Sequence, residues 1–261
     1  MLLSDRTRMA DLDFTGTTVA VTGAAIGFGR EIARGFAARG ARVFATDRDA
    51  AGLADTAAGH GISTTTLDLT DRAAVAAWVA AIERETDGAI GVVVNNAGGT
   101  LGQVFAPIEA VEDADWEAVL AVNLSAAFAV IRAAAPAMKR AGRGRVVNIA
   151  SSAGLRASRT GIQAYTAAKH AVIGLTRQLA QEFGPHGITV NAVAPGLFLT
   201  SANVQRQWDG YGPEGQQRLV EGIALRRMGE PREIADAVFF LASGMASFIS
   251  GQVLPVNGGS F

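Results

Sequence analysis

The stretch Thr17-Thr-Val-Ala-Val-Thr-Gly-Ala-Ala-Ile-Gly-Phe-Gly-Arg30 joins a short β-branched run to the start of a periodic, helix-like segment. Glycines at positions 23, 27 and 29 permit a tight turn and let the backbone approach a ligand phosphate closely. The N–H groups at the start of the helix present a positive dipole end at the same place. Between a strand and a helix, this glycine pattern predicts a dinucleotide-binding turn.

The same alternation of apolar strand and helix continues along the chain. The expected strands are Thr17–Thr22, Arg42–Thr46, Ser63–Leu67, Ile90–Asn95, Gly144–Ala150, Ile188–Val193 and Gln252–Val256. The expected helices are Gly27–Arg39, Asp49–Ala58, Asp71–Glu85, Asp115–Ala126 continuing to Arg140, Ala164–Phe183 and Pro231–Ser243. Apolar strands alternating with helices predict an α/β fold, a doubly wound parallel sheet of the Rossmann type with helices on both faces.

The domain organisation follows from the absence of any linker rich in Pro, Gly or Ser. We expect an N-terminal tail over residues 1–13 and a single domain over residues 14–261. Residues 197–227 alone fall outside the alternation. A loop of that length inside a compact domain is usually a lid or a binding element, so we expect a mobile flap over the substrate there.

Composition excludes several classes of partner. The 261 residues carry a formal net charge of -1, which gives no electrostatic reason to bind nucleic acid. The chain has no Cys, and its three His are far apart, so we expect no metal site. The first residues lack an apolar signal region, and apolar runs such as Ala73–Ile82 are shorter than the roughly 18 residues that cross a bilayer. We therefore expect a cytoplasmic protein that does not bind membranes.

Asp47 follows the glycine turn by eighteen residues and stands at the end of the second strand. A carboxylate there accepts hydrogen bonds from the adenosine ribose hydroxyls and repels a 2′-phosphate, which favours NAD over NADP. Ile26 supports NAD, because a basic residue at that turn position could meet a 2′-phosphate. Arg48 argues weakly the other way, so NADP stays open as the less favoured cofactor.

Further motifs follow the glycine turn in a fixed order. They are Asp68 after the third strand, Asn95-Asn96-Ala97-Gly98, Asn123, Ser151, Tyr165-x-x-x-Lys169 and Pro195-Gly196. With Thr22-Gly-x-x-x-Gly-x-Gly29, they make the chain resemble the short-chain dehydrogenase/reductase family from about Phe14 to Gly259. The resemblance implies NAD(P)-dependent oxidation of alcohols or reduction of ketones. It also implies an oligomer, commonly a homotetramer.

Tyr165 and Lys169 lie four residues apart on a predicted helix, so both side chains project from one face. A free tyrosine, with a pKa of about 10, is a poor base at neutral pH. An ammonium group ~4 Å away contributes roughly 4 kcal/mol at an effective dielectric of 20, or about three pKa units. We therefore expect Tyr165 to have a lowered pKa and to act as the acid or base of the reaction.

Ser151 and Ser152 follow the strand Gly144–Ala150, at the edge where α/β sheets bind ligands. A hydroxyl there can steady a developing alkoxide. The strand register selects Ser151, whereas the family's usual spacing of thirteen to the tyrosine selects Ser152. We choose Ser151 and leave Ser152 open. The resemblance adds Asn123 as the residue that binds a water linking Lys169 to solvent.

The resemblance also implies a set of cofactor contacts. Asp68 and Leu69 would meet adenine, residues 95–98 would line the ribose side, and Pro195-Gly196 with Thr200 would lie near the nicotinamide carboxamide or the pyrophosphate. Phe198 stands where the family often has Ile or Val. The full expected set is Gly23, Ala25, Ile26, Gly27, Gly29, Asp47, Arg48, Asp68, Leu69, Asn95, Ala97, Gly98, Tyr165, Lys169, Pro195, Gly196, Phe198 and Thr200.

Polar side chains surround the expected mouth of the site. Substrate contacts are expected from Gly98–Val104, Leu155–Gln163, Trp208 and Tyr211, with Arg156, Arg159, Gln163, Gln205, Arg206 and Gln207 adding polar character. This mixture suits a sugar, a polyol or a small hydroxy acid whose carboxylate pairs with Arg, and it equally suits a solvated loop surface. Two alternatives stay open: an NADPH-dependent ketoacyl-carrier reductase, and a non-catalytic cofactor-binding regulator.

Overall fold

In the part of the chain that the structure describes, seven parallel strands form one sheet in the order β3-β2-β1-β4-β5-β6-β7. The computed structural model of the chain describes residues 12–158 and 161–260. The strands are β1 (Thr18–Thr22), β2 (Arg42–Asp47), β3 (Ser63–Thr66), β4 (Val92–Asn95), β5 (Gly144–Ile149), β6 (Ile188–Pro195) and β7 (Val253–Val256). The predicted doubly wound α/β fold is confirmed.

Helices connect the strands and cover both faces of the sheet. They are α1 (Gly27–Ala37), α2 (Ala50–Ala57), α3 (Arg72–Thr86), α4 (Asp113–Leu120), α5 (Ala126–Ala141), α6 (Gln163–Phe183), α7 (Ala202–Gly210), α8 (Gly212–Glu221) and α9 (Pro231–Ala242). A π-helical turn, Ala121–Ser125, joins α4 to α5. The sequence pattern predicts most of these boundaries to within a few residues.

Among the described residues the core has two large clusters, one on each face of the sheet, because successive side chains of a strand point to opposite sides. A third, smaller cluster lies between α6 and β6. Val19 and Val21 of β1 pack in a cluster with α1 and α9. Ala20, between them, faces the other cluster, which contains α3, α5 and the end of α6. Phe36 of α1 anchors the first cluster, with an edge-to-face contact to Phe239 of α9 at 4.8 Å between ring centroids.

The helical stretch Asp113–Ala141 corrects one expectation from the sequence. It is long and apolar enough to cross a membrane by length and composition, with a hydropathy of 1.8 over its most apolar window. Its apolar length was missed because acidic residues open α4, and Asn123 and Ser125 interrupt the apolar run in the middle. The stretch packs a buried face against the sheet, as core helices do, so it is weak evidence for a membrane span.

The predicted flap, residues 197–227, is not a plain loop. It contains α7 and α8, which follow one another across Tyr211. Ser201 caps α7 by accepting a hydrogen bond from the Val204 N–H at 3.3 Å, and Pro213 lies in the first turn of α8. These are ordinary start signals for helices. They were overlooked because both helices are short and polar.

The topology determines where a ligand can bind. From β1 the chain runs outward to β2 and β3, then returns past β1 to β4 and continues the other way. The connections at the carboxyl ends of β1 and β4 therefore diverge and leave a crevice. The motif residues 22–29, 95–98, 151 and 195–196 all stand at this edge.

Candidate active site

A cleft of about 1700 Å³ opens at the carboxyl edge of the sheet. Its walls come from the glycine turn, the ends of β2 and β3, the segments after β4, β5 and β6, and the flap helices. Of the residues with an expected role, the lining includes Gly23, Ala25, Ile26, Gly27, Asp47, Arg48, Asp68, Leu69, Ala97, Gly98, Ser151, Tyr165, Lys169, Pro195, Gly196, Phe198 and Thr200.

The glycine turn is shaped by close backbone contacts that only glycine permits. Gly23 has a φ of +67°, and a Cβ there would lie 2.7 Å from the Cα of Ala97. A Cβ on Gly29 would lie 2.0 Å from the Gly23 carbonyl oxygen. Ile26, at the N-cap of α1, gives the helix no side-chain cap. The uncapped N–H groups of this helix end fit a pyrophosphate.

Arg30 stabilises the glycine turn through hydrogen bonds. Its Nε donates to the carbonyl oxygen of Ala25 at 3.0 Å and to Thr56 Oγ1 at 3.1 Å. Its Nη2 donates to the carbonyl oxygens of Ala25 and Gly52. Thr56 Oγ1 in turn donates to the Ala24 carbonyl oxygen at 2.7 Å. One guanidinium and one hydroxyl thus tie the turn to α2.

Asp47 lies beside this turn at the end of β2. Its Oδ2 accepts from the Ala25 N–H and its Oδ1 from the Asp49 N–H, both at 3.1 Å. Asp68, at the end of the neighbouring strand, accepts hydrogen bonds from the N–H and hydroxyl of Thr70. These bonds, and more weakly the nearby Arg48 charge, hold the pKa of Asp68 below its usual range. Two carboxylates therefore flank the expected adenosine end of the cleft.

Tyr165 is hydrogen-bonded to Ser151 across the cleft wall. Burial raises the pKa of Tyr165 above its ordinary value, and the bond to Ser151 partly opposes this. The expectation of a lowered Tyr165 pKa is therefore wrong for the ligand-free chain. The nearby ammonium charge favours the phenolate, but the loss of water around the phenol disfavours it, and the sequence gives no sign of that loss.

Lys169 is fully enclosed next to the tyrosine. It is 3% exposed, and its Nζ donates to the Ile149 carbonyl oxygen at 2.9 Å. The same Nζ lies 5.7 Å from the centroid of the Tyr165 ring. Burial lowers the pKa of Lys169 to about 8, so the side chain carries a positive charge at neutral pH. This positive charge lies next to the Tyr165 ring, where it would stabilise a Tyr165 phenolate.

Ser152 differs from its neighbour. Its hydroxyl is buried and has no hydrogen-bond partner among the described residues, whereas Ser151 Oγ contacts Tyr165 and accepts from the Ala153 N–H at 3.1 Å. Both serines line the cleft. The geometry therefore favours Ser151 as the hydroxyl that acts with the tyrosine.

Asn123 sits in the π-helical turn and does not line the cleft. Its Oδ1 accepts from the Gly99 N–H at 3.0 Å, and its Nδ2 donates to the carbonyl oxygens of Gly99 and Val119. A Cβ on Gly98 would lie 2.4 Å from Asn123 Oδ1 and 3.3 Å from Lys169 Nζ. The asparagine is thus adjacent to the lysine and clamps the loop after β4.

Two other expected cofactor residues lie beneath the cleft wall. Asn95 is buried, and its Nδ2 donates to Asn148 Oδ1 at 2.9 Å, because its side chain points to the α6 side of the sheet. Gly29 packs against the turn backbone from inside. Neither residue lines the cleft, so neither is placed to contact a cofactor there. The strand register turns Asn95 away from the cleft, and Gly29 lies inside the first turn of α1. Arg159 lies outside the described residues.

Sequence reasoning missed the role of Asn96, which it placed only within the stretch 95–98, and it missed Ser260 altogether. Asn96 holds the glycine turn through Nδ2, which donates to the carbonyl oxygens of Thr22 and Gly23 at 3.1 and 2.8 Å. The Asn-Asn-Ala-Gly motif contained this signal, but the residue was passed over. Ser260 lines the cleft from the end of the chain, and no local pattern marked it.

Comparisons with known proteins agree with this geometry. The family model described as enoyl-(acyl carrier protein) reductase, of the short-chain alcohol dehydrogenase type, matches residues 23–260. Gluconate 5-dehydrogenase of Gluconobacter oxydans is 39% identical over 250 residues, which are 94% of each chain. Galactitol 2-dehydrogenase (L-tagatose-forming) of Cereibacter sphaeroides is 39% identical over 248 residues, also 94% of each.

A solved structure has the same architecture. The crystal structure of levodione reductase superposes with a TM-score of 0.86 at 34% sequence identity and covers 94% of this chain and 98% of its own. The glycine turn, the Ser151–Tyr165 pair with Lys169 and the seven-stranded sheet accompany these matches. The chain belongs to the short-chain dehydrogenase/reductase family.

Proposed function

We propose that this protein is an NAD-dependent oxidoreductase that interconverts a secondary alcohol and its ketone or lactone. The substrate class is a sugar, a polyol or a hydroxy acid. One observation carries the proposal: Tyr165 is hydrogen-bonded to Ser151 and lies against the buried Lys169, in the same cleft as a glycine turn that fits a dinucleotide. The chain belongs to a family of oxidoreductases that act on CH–OH groups, which agrees with this proposal.

A nicotinamide cofactor, when bound, supplies the hydride acceptor or donor. The side chains of this protein move the accompanying proton. In the oxidation direction Tyr165, as phenolate, takes the proton of the substrate hydroxyl, and in reduction it returns one. Ser151 donates a hydrogen bond to the substrate oxygen and stabilises the charge that develops there. The Lys169 ammonium favours the phenolate.

The preference for NAD rests on Asp47. Its carboxylate is fixed by two backbone N–H groups at the end of β2, where the adenosine ribose is expected. A fixed negative charge there disfavours a 2′-phosphate. Arg48, which lines the same end of the cleft, is the residue that would oppose this preference.

The preferred substrate class rests on two kinds of support. The relatives named above are a gluconate and a galactitol dehydrogenase, which act on polyhydroxylated chains. The substrate end of this cleft mixes apolar and polar side chains, among them Trp208, Tyr211 and Arg156. Such a lining suits a small hydroxylated substrate.

A second candidate is an NADPH-dependent ketoacyl-carrier reductase. Two observations favour this candidate. The matching family model is described as an enoyl-(acyl carrier protein) reductase, and Arg48 lines the cleft. The two candidates differ in cofactor and in substrate, so one assay separates them. We also propose a cytoplasmic homo-oligomer, as is common in this family.

The test is a turnover assay with NAD and NADP in parallel against sugars, polyols, hydroxy acids and a ketoacyl thioester, monitored by NAD(P)H absorbance. We expect oxidation of one of the first three classes with a higher kcat/KM for NAD. Thioester reduction with NADPH as the dominant activity would support the second candidate. Binding of NAD without any turnover would favour a non-catalytic regulator.

A further inference from the structure

Arg156 is a half-buried guanidinium in the wall of the cleft, five residues after Ser151. The segment between them is held in place, because Gly154 packs against α6: a Cβ there would lie 2.6 Å from the Lys169 carbonyl oxygen. Arg156 Nη2 donates to Ser260 Oγ at 3.1 Å. The guanidinium is therefore fixed in space rather than free on a surface loop.

Contacts of the C-terminal turn place this guanidinium at the catalytic end of the cleft. Ser260 N–H donates to the Asn257 carbonyl oxygen at 3.2 Å, and Asn257 packs against Gly196 at the end of β6, where a Cβ would lie 2.7 Å from its own. Gly196 N–H donates to the Val256 carbonyl oxygen at 3.0 Å. Arg156 is thus linked to the wall beside Ser151 on one side and to the Pro195-Gly196 wall on the other, away from Asp47.

The charge of Arg156 is not balanced by the part of the chain that the structure describes. No carboxylate among the described residues forms an ion pair with Arg156, and its hydrogen bond goes to a neutral hydroxyl. Within the same residues, arginines such as Arg34 and Arg145 also lack an ion pair, but they do not line the cleft. A charge that is partly removed from water costs free energy unless an opposite charge or several acceptors face it. A guanidinium with unused N–H donors in a ligand cleft therefore offers a place for an anion.

We propose that Arg156 binds a carboxylate of the substrate, so that the preferred substrates are hydroxy acids, the sugar acids included. The assignment rests on the proposed function and selects one class within it. A single guanidinium balances one negative charge and matches the planar fork of a carboxylate with two parallel hydrogen bonds. Ser260 keeps the fork oriented. Neutral polyols of the same length lack the group that Arg156 pairs with and bind less tightly.

The binding test uses the full chain with Tyr165→Phe and saturating NAD, so that no turnover disturbs the titration. Calorimetry compares three acids, D-gluconate, D-threonate and mandelate, with the neutral partners D-sorbitol, D-threitol and 1-phenylethane-1,2-diol. We expect at least one acid to bind at least ~10-fold more tightly than its neutral partner. Arg156→Gln removes this difference, and Arg156→Lys keeps part of it.

Two controls separate recognition from folding. Arg177→Gln makes the same change of charge on an exposed part of α6 outside the cleft, and we expect it to leave every affinity unchanged. The affinity for NAD and the thermal midpoint of Arg156→Gln report whether the fold survives. An equal loss for acids and neutral partners would mean that Arg156 only supports the loop, and the proposal would be overturned.

The remaining outcomes are also decisive. If none of the acids binds better than its neutral partner, or if D-glucose 6-phosphate shows the larger dependence on Arg156, the carboxylate assignment is wrong. The wild-type turnover assay is independent of this result. Turnover of neutral polyols without selectivity for acids would support the proposed function and contradict the role of Arg156. Binding of acids through Arg156 without any turnover would support that role and contradict the proposed function.

Discussion

Lys169 brings a positive charge into a site where it is 3% exposed, with a carbonyl oxygen as its hydrogen-bond acceptor. Desolvation lowers its pKa from 10.5 to about 8. Below pH 8 the folded protein therefore retains a charge that the unfolded chain accommodates more easily. Such a cost is typical of groups that are kept for chemistry.

This cost predicts a pH dependence of stability. The pKa of Lys169 is lower in the folded state, so between about pH 8 and 10.5 the folded protein binds fewer protons than the unfolded chain. The contribution of Lys169 to the free energy of unfolding therefore rises with pH over this range. The full difference is about 3 kcal/mol, at 1.36 kcal/mol per pKa unit. Lys169→Met lacks this rise. Urea unfolding of both proteins from pH 7 to 10.5 measures it.

The difference between the two curves isolates Lys169 from other groups that titrate in the same range. We expect the variant to gain in relative stability at pH 7 and to lose that gain as the pH rises. Parallel curves for wild type and variant would show that Lys169 is not desolvated as described.

The two adjacent serines provide a second test at single residues. Ser151→Ala removes the hydroxyl whose single hydrogen is donated to Tyr165 in the free enzyme and, as proposed, to the substrate oxygen in the complex, so we expect kcat to fall by roughly 10²-fold. The pH at which kcat/KM for oxidation is half-maximal should also rise, because in the free enzyme the bond from Ser151 lowers the pKa of Tyr165. Ser152→Ala removes a buried hydroxyl without a partner among the described residues, so activity should persist.

Steady-state kinetics of the two variants between pH 6 and 10 distinguish the serines. The reverse pattern, with Ser152→Ala inactive and Ser151→Ala active, would assign the role to Ser152. It would also mean that the loop spacing to the tyrosine, rather than the strand register, determines which serine acts.

At the scale of elements, α1 and α2 are joined through Arg30, which holds the glycine turn from below. Arg34, one turn further along α1, also donates to α2 but bonds only the carbonyl oxygens of Thr56 and Asp55. The two arginines therefore form a matched pair. Arg30 supports the turn that would bind the pyrophosphate, and Arg34 supports only the helix packing.

We expect Arg30→Met to weaken NAD binding by roughly 10-fold, since it removes hydrogen bonds that each contribute about 1 kcal/mol or more. Arg34→Met should leave the Kd for NAD within about twofold, even if it lowers the thermal midpoint. Calorimetric titration with NAD, together with thermal unfolding, gives both quantities. Equal losses of affinity in the two variants would show that the turn does not depend on Arg30.

The elements also show what the sequence can predict. β1, α1 and β2 follow from hydrophobic periodicity and glycine placement, because local pattern and tertiary packing agree there. The helices α7 and α8 were not predicted, since they are short and their sequences are polar on average. The π-helical turn at Asn123 also has no local signature. It inserts one residue into a helix whose side chains must meet both the sheet and Gly99.

The sequence predicts which residues form the candidate site better than it predicts their pKa values. The motifs identify Tyr165, Lys169 and Ser151, because their spacing is fixed by α6 and by the end of β5. The direction of the Tyr165 pKa was not predictable, since it depends on burial by segments distant in sequence. The contact between Arg156 and Ser260 joins residues 104 apart, and no local pattern reports such a distance.

At the scale of the whole molecule, large apolar side chains remain exposed away from the cleft. Phe248 is fully exposed, with Met245 nearby in sequence, and Phe128 is partly exposed on α5. Exposed apolar side chains that gather in one patch mark contact sites between proteins, and Phe248 with Met245 is where we expect such a patch. We expect a homo-oligomer, with a tetramer at about four times the chain mass of 26.9 kDa. Light scattering after size exclusion at several concentrations measures it.

Phe248→Asp should shift this distribution toward smaller species, because it places a charge in an apolar contact. A mass of one chain at every concentration tested would contradict the oligomer. A tetramer that Phe248→Asp leaves unchanged would show that the subunits meet through another face.

The central claim is that Tyr165 transfers the proton of an alcohol whose hydride goes to or comes from a bound nicotinamide. The most direct measurement compares kcat, and the Kd for NAD, between the wild type and Tyr165→Phe with the best substrate of the turnover panel. The account predicts a loss of kcat of at least ~10²-fold with the Kd for NAD nearly unchanged. Retention of kcat in Tyr165→Phe would contradict it.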